Sequence, residues 1–330
     1  MSKTAPLISV IIPTYNRKEL LEKAILSVIN QQKGEYAFDY EILIVDDGST
    51  DGTRNYIAPL LAQHDTIRYF YQENSGLPGK ARNVALAHMS PQSDWTILLD
   101  DDDEFIPDLF IFCLRSRQQL KEEQRYDQVL WFYFLCQNEQ GQIVGSKDIL
   151  QGKQERIFTY DDYLLGAINR EMGLITKSHI FFGDQGLRFS EEVITEWVMW
   201  CRMRQLMERH QLVILLRDYV GRLYRTSHTW QIQITKTFAK TRFLKNAQGN
   251  EQIFATIADD LDRKWFMHIK SEYDMRIGIN YLLGWERQKW LQYMNAALQT
   301  FPSFKICLLR IIVHLLPRQW LHVLYVKYVS

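Results

Sequence analysis

Along the first hundred residues, short apolar runs alternate with segments whose apolar positions recur every three or four residues. Leu7-Ile8-Ser9-Val10-Ile11-Ile12 is a β-branched run stopped by Pro13, and residues Arg17 to Gln32 carry helical spacing. Asn16 stands where a cap for that helix is expected, with Glu19 in capping-box position. The pattern then returns: a strand from Tyr40 to Val45, a polar loop from Asp46 to Thr53, and a helix from Arg54 to His64. A strand over Ile67 to Tyr71, a loop with Gly and Pro, a helix from Lys80 to His88 and a strand from Trp95 to Leu99 follow. Alternation of this kind predicts right-handed crossovers and an α/β fold with a mostly parallel sheet. Ligands of such sheets gather at the carboxyl ends of the strands.

Further along, Gln128 to Gln137 reads as a strand, and Asn138-Glu139-Gln140-Gly141 as a hairpin turn into Ile143-Val144. Thr159 is placed to cap a helix over Asp161 to Ile168. From Thr235 the spacing is helical throughout, with separate helices expected over Phe238 to Asn246, Gln252 to Ile269, Tyr273 to Leu283 and Arg287 to Leu298. This divides the chain into an α/β domain, residues 1–234, and a helical appendage, residues 235–330.

Composition narrows the classes. A 330-residue chain with 46% hydrophobic and 24% charged residues can bury a core and is not a disordered one. Equal numbers of basic and acidic residues, 39 each, argue against a nucleic-acid binder. The balance is uneven along the chain: after Glu286 there are no acids but six bases, Arg287, Lys289, Lys305, Arg310, Arg318 and Lys327. The segment Phe304 to Val329 adds Ile306 to Leu316 and aromatics past Pro317, so two readings stand: an amphipathic element lying on an anionic membrane, or a helix packed on protein. The four cysteines, Cys113, Cys136, Cys201 and Cys307, form no Cys-x-x-Cys pair, against a zinc site or disulfide framework. No amino-terminal signal pattern and no bilayer-length apolar run occurs, so a cytoplasmic protein, at most peripheral on the membrane, is expected.

The densest chemistry is the run Asp100-Asp101-Asp102-Asp103-Glu104 directly behind the apolar Trp95 to Leu99, with Pro107 suited to the first turn of a helix. Adjacent carboxylates repel, so a positive charge is expected among them. A Mg²⁺ or Mn²⁺ ion held by one or two carboxylates and substrate phosphates satisfies this; a solvated acidic loop is the alternative. The loops at Pro13–Arg17, Asp46–Thr53 and Asp100–Glu104 all follow strands and are expected to share one pocket. Neither G-x-G-x-x-G nor a P-loop is present, which speaks against dinucleotide and P-loop sites.

Four segments in this order and spacing, Pro13-Thr14-Tyr15-Asn16-Arg17, Val45-Asp46-Asp47-Gly48-Ser49-Thr50-Asp51, Asn74-x-Gly76 with Ala81-Arg82-Asn83, and Asp100-x-Asp102-Asp103 with Pro107, resemble glycosyltransferase family 2. The resemblance implies a GT-A fold and transfer of a sugar from a nucleotide-sugar. It assigns Asp47 to the uracil ring, Pro13 and Tyr15 to the wall behind the base, and Arg82 to the diphosphate. Asp100 and Asp101 fall beside the donor, and Asp102 is the metal ligand, for Mn²⁺ or Mg²⁺. Against this, Asp47 also reads as a turn residue and Arg82 as a residue on a helix surface.

Thr195-Glu196-Trp197, with Arg202 behind, resembles the family's second motif, where the usual pair is Glu-Asp and the Asp is the base. Here Glu196 stands in its place, one methylene longer, with Glu191 as the second candidate. His228 in Tyr224-Arg225-Thr226-Ser227-His228 matches a residue near the diphosphate or metal. The resemblance thus implies inverting transfer from a UDP-sugar to a glycan or lipid-linked acceptor in surface polysaccharide synthesis. Transfer to a polyprenyl phosphate, or a non-catalytic nucleotide-sugar-binding scaffold, are the rivals.

Overall fold

The first strand organises the sheet because both of its faces are covered: Val10, Ile11 and Ile12 are wholly buried. In a computed structural model the described residues are 5–144, 147–159, 162, 172–184, 186–191, 197–225, 240–258, 270, 273–274, 276–282 and 286–300. Strand β1 (Leu7–Thr14) pairs in parallel with β2 (Asp39–Asp46) on one side and β4 (Ser93–Leu98) on the other, and β3 (Ile67–Tyr71) extends the parallel set beyond β2. The connections are α1 (Lys18–Ile29), α2 (Thr53–Gln63) and α3 (Pro78–His88). These seven elements lie where the apolar periodicity predicts them.

The sheet continues through β5 (Glu104–Phe105), β6 (Val129–Gln137), β7 (Ile143–Val144), β8 (Glu155–Phe158), β9 (Gly173–Lys177) and β10 (Val213–Leu223). The order is β3-β2-β1-β4-β9-β6-β10-β5, with β7 on β6 and β8 on β10. The long pairings are parallel, β6 with β10 included, while the short β5, β7, β8 and β9 pair antiparallel. Helix α4 (Leu109–Glu122) packs Leu109, Phe110, Cys113 and Leu114 into the same core as β1, β2 and β6. Pro107 precedes the cap of α4, Asp108, rather than lying in its first turn. The hairpin at Gly141 (φ 73°) and the β7 pairing agree with the turn chemistry.

Asn16 does not cap α1. The cap position is Arg17, and Asn16 adopts a left-handed conformation (φ 54°) in which its Oδ1 accepts from the Thr50 and Asp51 amides. Asn tolerates that backbone region better than most residues, so the capping pattern is spent on tying two loops together. Thr159 exchanges hydrogen bonds with Asp162, while the helix expected over Asp161 to Ile168 otherwise falls outside the described residues.

The chain divides into two compact units, residues 1–189 with 203–231, and residues 190–202 with 232–330. Within the second, one helix spans Lys240–Ile257 where the sequence reads as two segments, Phe238 to Asn246 and Gln252 to Ile269. Asn250 donates back to the Asn246 carbonyl, so the polar side chain is satisfied inside the helix. Ala247, Ile277, Tyr281, Trp290, Met294 and Ala297 form this unit's core. Among the described residues no helix is long and apolar enough to cross a membrane; the tail from 301 on, with its basic and aromatic positions, lies outside them.

Candidate active site

Register places the site. Thr14 lies opposite Asp46, and the Leu99 amide bonds to the Ile11 carbonyl, so the chains leaving β1, β2 and β4 emerge side by side. The Asp47 amide then donates to the Thr14 carbonyl at 2.9 Å, and the Asn16 bonds to Thr50 and Asp51 close the same two loops a second time. The three loops expected to converge do so.

The two members of Asp46-Asp47 have different work. Asp46 is buried, accepts from the Ser49 amide and receives the Tyr69 hydroxyl, a turn-forming role. Asp47 reaches across to the Asn74–Gly76 loop. Its Oδ1 accepts from Gln72 Nε2 and the Ser75 amide, and its Oδ2 from Ser75 Oγ at 3.1 Å. A carboxylate offers about four acceptor positions, and these bonds orient it. Gly48 between the loops is required: its φ is 86°, and a Cβ there would lie 2.6 Å from the Asn74 nitrogen. Tyr15 is 46% exposed at the end of β1, and Pro13 is half-buried within the strand.

The acidic run is met by four arginines from three parts of the chain. Arg82 Nη2 donates to Asp100 Oδ1 at 3.0 Å; Arg17 Nη1 donates to Asp101 Oδ1 at 2.9 Å and Asp102 Oδ2 at 2.8 Å. Arg222 Nε lies 3.4 Å from Asp103 Oδ2, and Arg225 pairs with Glu104. The positive charge that the sequence demands is therefore supplied in part by guanidinium groups. Arg82 is buried, with its guanidinium over the Phe189 ring, so the reading of a helix-surface arginine does not hold.

Exposure alternates along the run. The side chains of Asp100 and Asp102 are 47% and 19% exposed, those of Asp101 and Asp103 only 7% and 2%. Asp101 gives its second oxygen to Thr14 Oγ1 at 2.7 Å, and Asp103 accepts from the Arg225 amide. Burial pushes the Asp101 carboxyl up to about 7 and the Asp103 carboxyl up to about 8, against the pull of Arg17 and Arg222 respectively. Arg17 is held above its ordinary value: burial opposes its charge, but Asp101 and Asp102 outweigh it. Asp101 and Asp103 thus brace the loop, while Asp100 and Asp102 face outward.

No cluster of three or more His, Cys, Asp or Glu suited to a metal occurs among the described residues. Mg²⁺ and Mn²⁺ do not need one, since one or two carboxylates with substrate phosphates and water suffice. Two outward carboxylates at alternate positions, all oxygen donors, fit such an ion. Glu196, Thr195 and His228 lie outside the described residues, and Glu191 is exposed. Sequence reasoning gave no role to Thr14 and Arg17, although both stand in a motif it quoted. It had no signal for Arg222, which meets Asp103 only because β10 pairs with β5.

Residues 9–164 match the model for Glycosyl transferase family 2. An uncharacterized glycosyltransferase of Mycoplasma genitalium, MG060, is 36% identical over 132 residues, 39% of this chain and 42% of that protein. The Campylobacter jejuni GalNAc(5)-diNAcBac-PP-undecaprenol beta-1,3-glucosyltransferase is 40% identical over 102 residues, 31% of each chain. The matches thus span less than half the length of these curated relatives. Among solved structures, S. aureus TarS 1-349 in complex with UDP-GlcNAc aligns with a TM-score of 0.55 at 15% identity, covering 89% of this chain and 91% of that one. The loops converge at the strand ends as the four motifs require, residues 9–164 carry the match to glycosyltransferase family 2, and the chain has the GT-A fold.

Proposed function

We propose that this protein is a glycosyltransferase that moves a sugar, with inversion, from a UDP-sugar to a glycan or lipid-linked acceptor. The observation that carries this reading is the convergence, at the carboxyl ends of the strands, of the loops that bear Tyr15, Asp47 and the outward carboxylates Asp100 and Asp102. A base lying against Pro13 and Tyr15 would present its N–H to the oriented Asp47 carboxylate. Arg82, buried and braced on Asp100, would hold a positive charge behind the diphosphate. A Mg²⁺ or Mn²⁺ ion held by Asp102, and by Asp100, would neutralise charge on the departing diphosphate.

The chain's part in the chemistry falls to Glu196. Its carboxylate takes the proton of the acceptor hydroxyl; the oxygen forms a bond to the anomeric carbon as the bond from that carbon to the phosphate oxygen breaks, and the nucleoside diphosphate leaves. A lipid-linked acceptor is supported by the name of the Campylobacter jejuni relative, whose acceptor carries undecaprenol. The basic tail offers a way to reach such an acceptor at an anionic membrane surface.

The test is calorimetry with UDP and GDP in the presence of Mn²⁺, together with a panel of UDP-sugars assayed for metal-dependent hydrolysis. Hydrolysis of at least one separates an enzyme from a scaffold. Asp47→Asn is expected to weaken UDP by about tenfold to a hundredfold, the worth of one hydrogen bond to a charged group, about 1.5–3 kcal/mol, and to leave GDP unaffected. An equal loss for both nucleotides would remove Asp47 from base recognition.

A further inference from the structure

We propose that Arg17 is a positioning residue that acts as the resident counter-cation of Asp102 and makes cation binding there depend on arrival of the donor diphosphate. This rests on the metal reading of Asp102 given above. A single nitrogen, Nη1, donates to Asp101 Oδ1 and to Asp102 Oδ2 at 2.9 and 2.8 Å. Asp101 is the anchor of this arrangement: its other oxygen is held by Thr14, and its side chain is 7% exposed. Asp102 is the more exposed partner.

The guanidinium cannot leave by a shift of its backbone. The Arg17 carbonyl accepts from the Leu20 and Leu21 amides and so begins α1, and the preceding Asn16 is locked to Thr50 and Asp51. Arginine also does not shed its proton at any working pH. A divalent cation on Asp102, whose Oδ2 lies 2.8 Å from Arg17 Nη1, therefore meets a positive charge roughly 5 Å away or less, a separation at which Coulomb repulsion in a protein setting is strong. A diphosphate brings negative charge that offsets this repulsion. Cation and nucleotide then bind with positive coupling, and the size of the coupling is set by Arg17. Linkage requires that each ligand strengthen the other by the same factor.

The experiment measures Mn²⁺ binding to the full chain, by the electron paramagnetic resonance signal of free Mn²⁺, with and without UDP. Wild type is expected to bind Mn²⁺ weakly alone and much more tightly with UDP. In Arg17→Gln, binding of Mn²⁺ alone should tighten by about tenfold or more, and the enhancement by UDP should shrink correspondingly. Arg17→Lys, which keeps the charge, should stay near wild type. Removing Arg17 leaves the buried Asp101 carboxylate without its guanidinium, so Arg17→Gln/Asp101→Asn is made in parallel; it removes both charges and should tighten Mn²⁺ alone by less than Arg17→Gln does. Unchanged Mn²⁺ affinity and unchanged coupling in the glutamine variants, or a lysine variant that behaves like glutamine, would overturn the proposal. Wild type that binds UDP but shows no Mn²⁺ binding even then would instead sink the metal reading itself.

Discussion

Asp102→Asn is expected to lower sugar transfer by about 10²- to 10³-fold and to abolish the dependence of UDP binding on Mn²⁺, while the protein melts as wild type does. The substitution is nearly isosteric, and the asparagine oxygen still accepts from Arg17 Nη1, so the clamp to Asp101 survives. What is lost is a charged oxygen ligand on a side chain that keeps some exposure. An ion that stabilises a departing diphosphate contributes several kcal/mol to the transition state, and each 1.36 kcal/mol is about a factor of ten in rate. Transfer assays over a Mn²⁺ titration, with calorimetry of UDP and a thermal melt of the same samples, check it. If activity and Mn²⁺ dependence persist, Asp102 is a bracing residue like Asp101. The paired variant Asp103→Asn provides contrast, because Asp103 faces Arg222 and the Arg225 amide inside the protein and would be read in the melt.

That contrast shows what a sequence can and cannot carry. The first seven elements were legible because each buried face has a simple period, with β1 and β2 read as continuous apolar runs. The convergence of the three loops followed from a rule about strand ends, and register confirms it. Which of four consecutive aspartates faces outward was not legible from composition. It depends on Thr14 and Arg17 from β1 and on Arg222 from β10, residues 84 to 119 positions away from their partners. The Asn16 cap failed for a similar reason: its short amide satisfied a local helix rule, but a loop 34 residues on offered two amides instead of one. Likewise the stretch between Asn246 and Gln252, which holds Gly249, reads as lying between two helices, and one helix runs through it because packing of Ala247 and Ile253 outweighs about 1 kcal/mol of glycine propensity.

A core position beneath the acidic loop gives the largest expected effect on stability. Phe134, wholly buried in β6, lies directly opposite Gly173 of β9, and its ring occupies the space a Cβ at Gly173 would need. On its other side the same ring fills the place of a side chain at Gly221, where a Cβ would lie 2.5 Å from Phe134 Cδ2 and 2.8 Å from Leu109 Cδ1. Two glycines on flanking strands thus exist to admit one aromatic ring. The Gly221 carbonyl accepts from the Ile106 amide, and Leu223 pairs with Glu104, so this packing also supports the loop that carries Asp100 to Asp103. Phe134→Ala should cost about 3–5 kcal/mol. Gly173→Ala should cost about 1–3 kcal/mol by overpacking, because the ring that must yield is buried and already close to Gly221 on its other side. The two should not add: with the ring gone, the new methyl enters the space it leaves, and the double variant should be no less stable than Phe134→Ala. A coupling of about 0.5–3 kcal/mol in a chemical-denaturation cycle is the expected result, and each kcal/mol corresponds to about 2–4 °C in Tm for a domain of this size. Strict additivity would mean that Gly173 serves the backbone of β9 and not the ring of Phe134.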